Sequence, residues 1–365
     1  MKALNTSARD WRAAPLQPSP RDFHRGVTGY EPTPLRELPA FASELGIRRL
    51  FVKDESSRLG LPAFKVLGAS YAIARTLSQR LGHEEALSLD RLRSALEGSA
   101  APRLVAATDG NHGRAVARVA AMLGVSAEIH VPQEVSDASK RAIVDEGASL
   151  IEHGIPYDDV VALVARQLQP QDVLIQDTAW HDYETVSGWI VDGYTTLLEE
   201  IDEQLEESRL DAVVVPAGVG SLAQAVVAHY RSTSRTPAVV IVEPETAATI
   251  TRSLQRGSPV AVPTGDTVMT GLNCGTVSSL AWSVLQHGAD LAITVTDEEA
   301  LAAVRDLERA MDAGPCGAAT LAGIRSVMAD EQLRSSLHLD ADAVVVLLST
   351  ESYAANPKGG DHGDQ

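Results

Sequence analysis

Cysteine is scarce in this chain: Cys274 and Cys316 are the two among 365 residues. Two thiols make no disulfide framework, and no CxxC pair offers zinc spacing. His83 opens "HEEAL", but no second histidine stands four residues on, so this is not a metalloprotease helix and no metal is expected. Positive charge is also in short supply. Lys and Arg number 31 against 49 Asp and Glu, a formal charge of −18, which makes nucleic acid and anionic membranes poor partners. Small charged metabolites stay open, because a local pocket need not follow the net charge. No apolar run reaches the ~18 residues of a membrane span. The opening "MKALNTSARDWRAAPLQPSPRDFHRG" lacks the apolar core of a signal peptide. These absences predict a cytoplasmic, reducing setting.

What is present describes a globular protein. Hydrophobic residues make up 44% and charged residues 22%, and the length, at ~150 residues per domain, suggests two domains. Residues 1–22, rich in Pro, Arg, Ser and Ala, read as a flexible arm. Beyond them short Val/Ile-rich runs alternate with helical patterns. "RRLFVKDE", "PRLVAAT", "SAEIHVP", "ASLIEHG", "DVLIQ", "DAVVVPAG", "AVVIVEPE" and "DAVVVLLST" are strand-like. "RAVARVAAMLG" is a helix closed by Gly124, and Ser136 is placed to cap "DASKRAIVDEGA". The alternation predicts an α/β fold with parallel sheets covered on both faces by helices. The acid-rich stretch from Ser187 to Arg209 reads as the solvated face of a long helix.

Ligands of parallel sheets gather at the carboxyl ends of the strands, and four features there carry possible chemistry. In "LGLPAFKVLGASYAIA" a single amine, Lys65, sits among small and apolar residues. Lysine is almost never buried without a partner, and an amine in such a pocket is suited to covalent chemistry. "ATDGNHGRAVA" places Asp109, Gly110, Asn111 and His112 between a strand and a helix start, where free backbone N–H groups bind anions; His112 is given no catalytic role. "PAGVGSLAQAV" is a phosphate cradle at a helix N-terminus. Its Gly218, Gly220 and Ala223 also fit a relaxed dinucleotide fingerprint, with Glu243 near the place of a ribose-binding acid. Asp177, after "DVLIQ", gains weight if it shares a cleft with Asp109. A nicotinamide oxidoreductase accounts for the glycine loop but leaves Lys65 without a purpose. A lysine, a phosphate loop and an asparagine loop together are what pyridoxal phosphate requires.

On these residues the chain resembles the diaminopropionate ammonia-lyase family, within the fold-type II (tryptophan synthase β-like) pyridoxal phosphate enzymes. The likeness runs from "FHRGVTGYEPTPLRELP" through "FVKDESSRLGLPAFKVLGASYA", "ATDGNHGRAVA", "QDTAWHDYE", "GWIVDGYTTLLEE", "PAGVGSLAQAV" and "VEPE" to "MTGLNCG" and "LLSTE". It implies two domains with the cofactor between them: a small one over 68–182 and a large one from 23–67 with 183–365, in a homodimer. It implies α,β-elimination of ammonia from 2,3-diaminopropionate, giving pyruvate and ammonia. Lys65 then matches the Schiff-base lysine, and Asn111 the contact to the cofactor's ring oxygen. Gly218, Val219, Gly220 and Ser221 match the phosphate loop, and Ser349 the hydroxyl that meets the pyridine nitrogen. Thr108, Asp109 and Gly110 should face the substrate carboxylate. Asp109 and Asp177 match the two acids of proton transfer, which in the family let both optical isomers react.

The chain also departs from the family pattern. Pro62 replaces an Asn before "AFK", "DAGPCGAAT" replaces a segment closer to "ESGAVG", Ser352 replaces a Gly, and His181 and Asp182 replace smaller residues. Such changes near a site point to related reactions as alternatives: dehydration of serine, threonine or hydroxyaspartate, or β-replacement. A non-catalytic cofactor-binding protein is a further alternative. Cys316 lies in one of these segments and is expected to be a buried apolar residue rather than a catalytic one.

Overall fold

The computed structural model describes residues 1–16, 18–97, 101–108, 110–206 and 208–355. Its strands are β1 (Lys2–Leu4), β2 (Leu35–Glu37), β3 (Arg49–Asp54), β4 (Arg103–Ala107), β5 (Ser126–Pro132), β6 (Ser149–His153), β7 (Asp172–Leu174), β8 (Ala212–Pro216), β9 (Ala238–Pro244), β10 (Leu291–Val295) and β11 (Val344–Ser349). Seven form one sheet in the order β1-β10-β9-β8-β11-β3-β2, and four form a second in the order β6-β5-β4-β7. The second sheet is parallel throughout. The first is parallel from β10 to β3, with β1 and β2 antiparallel at its edges. The fold is thus α/β, with parallel sheets flanked by helices. β8, β9 and β11 are buried along their whole length, as central strands covered on both faces must be.

Local signals in the chain have physical counterparts. Ser136 Oγ accepts from the Ser139 N–H at 3.1 Å, and Gly124 ends its helix in the left-handed region at φ 70°. Residues 1–22 differ from the expected arm. β1 pairs with β10, Lys2 opposite Ile293 and Leu4 opposite Leu291, and Arg9 forms an ion pair with Asp290 at 2.8 Å. Sheet-edge pairing uses backbone groups, so a Pro/Arg/Ser-rich composition does not reveal it. Among the described residues, no helix is long and apolar enough to cross a membrane.

The acidic helix spans Thr185–Leu205, and Glu200 departs from its expected solvated face. Its side chain is fully buried, bound by Lys53 Nζ at 2.6 Å and Arg58 Nη1 at 2.7 Å. Arg58 also pairs with Glu55, and the Tyr30 hydroxyl donates to Glu200. Burial would push the Glu200 carboxyl up, but the two cations outweigh it and hold it at about 2. A charge count along one helix cannot show this, because both cations come from the chain before Lys65.

That helix crosses Val66–Arg80 at close range, and the crossing fixes where Lys65 begins its own helix. A Cβ at Gly193 would stand 2.6 Å from the Leu67 carbonyl oxygen, and one at Gly68 2.5 Å from the Tyr194 ring. Gly193→Ala should therefore destabilise the protein by about 1–3 kcal/mol, read as a lower midpoint in urea with unchanged slope.

Candidate active site

The cleft is built where strand ends meet. Residues 62–64 run beside 350–352: Ala63 bridges to Glu351, Phe64 N–H donates to Thr350 O at 3.2 Å, and Ser352 N–H to Pro62 O at 2.9 Å. This pairing sets Lys65 beside the end of β11. The lysine is not sealed in the core as its neighbours suggest. It occupies the N-cap of its helix, and its side chain, 22% exposed, opens into the cleft. Across the cleft stands Asp177, carried on the loop after β7 and held there by Ser221 Oγ, which donates to the Asp177 carbonyl at 2.8 Å.

Lys65 Nζ donates to Asp177 Oδ2 at 2.5 Å. Burial would raise the Asp177 carboxyl; the Lys65 ammonium and His112 outweigh that and hold it down to about 2. An anionic carboxylate against an amine is a pair that can pass a proton either way. The amine itself is a potential nucleophile.

On the opposite wall β8 ends at Pro216 and runs through Gly218, Val219 and Gly220 into the helix Ser221–Ser232. A Cβ at Gly218 would lie 2.9 Å from Cys274 Sγ, and Gly220 has φ +97°, so both positions favour glycine. No side chain caps the helix; its first N–H groups and its dipole form an anion seat.

Lys65, Asn111, Asp177, Gly218, Val219, Gly220 and Ser221 all line this one cleft. Ser349 does not line it. It lies at the end of β11, buried, next in the chain to Thr350, which does line the cleft. Its Oγ has no hydrogen-bond partner among the described residues, and a Cβ at Gly317 would come within 2.7 Å of it. Thr108 is buried, with its hydroxyl accepting from Gly110 N–H at 3.0 Å and Gly113 N–H at 3.1 Å; neither Thr108 nor Gly110 lines the cleft. Asp109 lies outside the described residues.

Glu351, Tyr157 and Cys274 line the cleft as well. Asn111 Nδ2 donates to Glu351 at 2.7 Å. The Tyr157 hydroxyl accepts from Gln176 Nε2 at 2.9 Å. Cys274 lies under Gly218. "STE" at the end of a buried strand was a usable signal for Glu351; Tyr157 had none. Of the departures, Cys316 does line the cleft and Ser352 bonds to Pro62, whereas His181 and Asp182 are almost fully exposed. Among the described residues no group of three or more His, Cys, Asp or Glu could hold a metal ion.

The nicotinamide reading loses its ribose acid. Glu243 is completely buried and accepts from Ile250 N–H, Thr251 N–H and Thr251 Oγ1, each at 2.7 Å, at the start of the helix Thr249–Arg256. Burial pushes its carboxyl up to about 7. It is sealed inside the fold and does not line the cleft.

Residues 27–351 match the pyridoxal-phosphate dependent enzyme family. The diaminopropionate ammonia-lyase of Escherichia coli K12 is 36% identical over 348 residues, covering 91% of this chain and 87% of that protein. The chain belongs to the diaminopropionate ammonia-lyase family. The crystal structure of the Escherichia coli diaminopropionate ammonia lyase in complex with D-serine superposes with a TM-score of 0.86 and 34% identity, over 97% of this chain and 94% of that one. The structure of the same enzyme with an aminoacrylate-PLP azomethine reaction intermediate has a TM-score of 0.84 and 33% identity, over 97% of this chain and 94% of that one. The protein is a pyridoxal-phosphate enzyme, a carbon–nitrogen lyase by family. Its cleft fits the cofactor: a cleft-facing amine, an uncapped helix start over a glycine loop, and the orphaned buried hydroxyl of Ser349 beneath the floor.

Proposed function

We propose that this chain eliminates ammonia from 2,3-diaminopropionate, yielding pyruvate and two molecules of ammonia. The observation that carries the reading is the Lys65–Asp177 pair at 2.5 Å, in the same cleft as the glycine loop. The bound cofactor would withdraw electrons from the substrate's α-carbon and so acidify the α-proton. The chain's own groups supply the rest. Lys65 would be the covalent anchor, the Ser221 helix start would hold the phosphate, and Ser349 and Asn111 would hold the ring. Lys65 or Asp109 takes the α-proton according to the isomer, and Asp177 is an acid–base partner that supplies a proton to the departing β-amine. Thr108, Asp109 and Gly110 would orient the substrate carboxylate, which requires the Thr108–Gly110 turn to open toward the cleft when substrate binds.

The cofactor lies, on this reading, between a small domain of residues 68–182 and a large one of 23–67 with 183–365. The enzyme is a cytoplasmic homodimer. The experiment is release of pyruvate and ammonia from L- and D-2,3-diaminopropionate by the cofactor-loaded protein, with L-serine alongside. Rapid release from the diamino acid supports the reading. Silence there with activity on serine would favour a dehydratase and would mean that the departures near Pro62, Pro315 and Ser352 have changed the substrate. Asp109→Asn should lower turnover of the D-isomer by about 10²–10⁴-fold, the scale of one positioned proton transfer, and of the L-isomer far less. Equal losses would refute that assignment.

A further inference from the structure

One buried carboxylate in the cleft has no part in the scheme above. Glu351 is 3% exposed and lines the cleft. Its backbone is pinned twice, by the bridge to Ala63 and by the Gly314 N–H, which donates to Glu351 O at 2.9 Å. Its side chain meets Asn111, the first residue of the helix Asn111–Leu123, and Oε2 accepts from Asn111 Nδ2 at 2.7 Å. Burying a carboxylate is costly, and a fold that needed only to fill this space would do so with an apolar side chain. The charge has local support. Gly314 precedes the helix Pro315–Ala329, whose start carries no side-chain cap. A Cβ at Gly314 would stand 3.0 Å from Glu351 Oε1, so the carboxylate lies against the positive end of that helix dipole.

We propose that Glu351 sets the orientation in which the Asn111 amide meets the cofactor. The two ends of an amide are alike in shape, so only a partner of fixed polarity chooses between them. A carboxylate accepts and does not donate, so it selects the nitrogen end of Asn111 and rejects the carbonyl end. Nδ2 carries two hydrogens. One goes to Glu351, and the other stays on the same end of the side chain to meet the ring oxygen. Turned the other way, the amide would set its own carbonyl oxygen against that oxygen, acceptor to acceptor. Glu351 touches no reacting atom in this account; it is a positioning residue that acts through Asn111. The inference rests on the reading that Asn111 holds the cofactor ring, at the oxygen that the family resemblance assigns to it.

The test is a double-mutant cycle on the holoenzyme, built from Asn111→Ala, Glu351→Met and the double variant. Two quantities are read with no substrate present: the cofactor retained on equilibrium dialysis, and the visible absorbance of lysine-bound cofactor. Glu351→Met keeps the length of the side chain and removes the acceptor. It should weaken cofactor retention about 10-fold, the scale of one hydrogen bond to a charged group. A ring oxygen without its donor binds a proton more readily, so part of the visible band should move to shorter wavelength. In the Asn111→Ala background the same substitution should change neither quantity by more than about twofold, because Glu351 reaches the cofactor through Asn111. Equal losses in both backgrounds would overturn the proposal, since a residue that merely supports the fold acts whether or not Asn111 is there. An unchanged band and unchanged retention in Glu351→Met would overturn it too. If that variant does not fold, Glu351→Asp, which draws the acceptor back by one methylene, takes its place in the cycle. A coupled cycle in a protein silent on diaminopropionate would fail the lyase reading and keep this one; an active lyase with additive losses would do the reverse.

Discussion

Lys65→Ala should leave the protein folded and abolish both the visible absorbance of lysine-bound cofactor and the release of pyruvate. The expected loss of turnover exceeds about 10⁴-fold, because one residue supplies both the covalent anchor and a proton-transfer group. The fold should survive. Lys65 sits at a helix start with its side chain partly open, rather than in the interior. Its removal leaves Asp177 without its 2.5 Å partner, so that carboxyl should lose part of the stabilisation that holds it near 2. Absorbance, circular dichroism and turnover on one sample test all of this. A variant that keeps the visible band would remove Lys65 as the anchor.

Glu200→Gln should have the largest effect on stability, about 3–5 kcal/mol, because it leaves Lys53 and Arg58 buried with one carboxylate instead of two. Urea unfolding would read it directly. The pH dependence has a definite sign. The Glu200 carboxyl is held at about 2 in the folded protein against an ordinary 4.5, so its contribution is complete above about 4.5. It is lost as pH falls from there through 2. The native protein should destabilise along that acid limb, and Glu200→Gln should flatten it. A variant as stable as the native chain would mean that the network is solvated in solution.

The strands β3 to β5, β7 to β9 and β11 were legible because a buried parallel strand is written as a local Val/Ile-rich run; β6, a largely exposed edge strand, was legible from its place in the strand–helix alternation. β10, "LAITV", carries the same kind of signal over five residues, as long as β8, yet it is not among the strand-like runs above. β1 and β2 were not legible, being three-residue edge pairings held by backbone groups. Lys65, Asn111, Asp177 and the 218–221 loop could be read because each is chemically out of place at a strand end or helix start. Glu200 and Glu243 could not, since their partners arrive from distant parts of the chain. Tyr157 enters the cleft only through the packing of its helix, and Ser349 proves to lie under the cleft floor, a depth no motif encodes.

The pairing of Lys2–Leu4 with β10 makes the start of the chain a seal on the large sheet. Removing those first residues would bare the outer row of N–H and C=O groups on β10, an adhesive rim open to any passing strand. With β1 in place, the open edge on that side of the sheet is only three residues long.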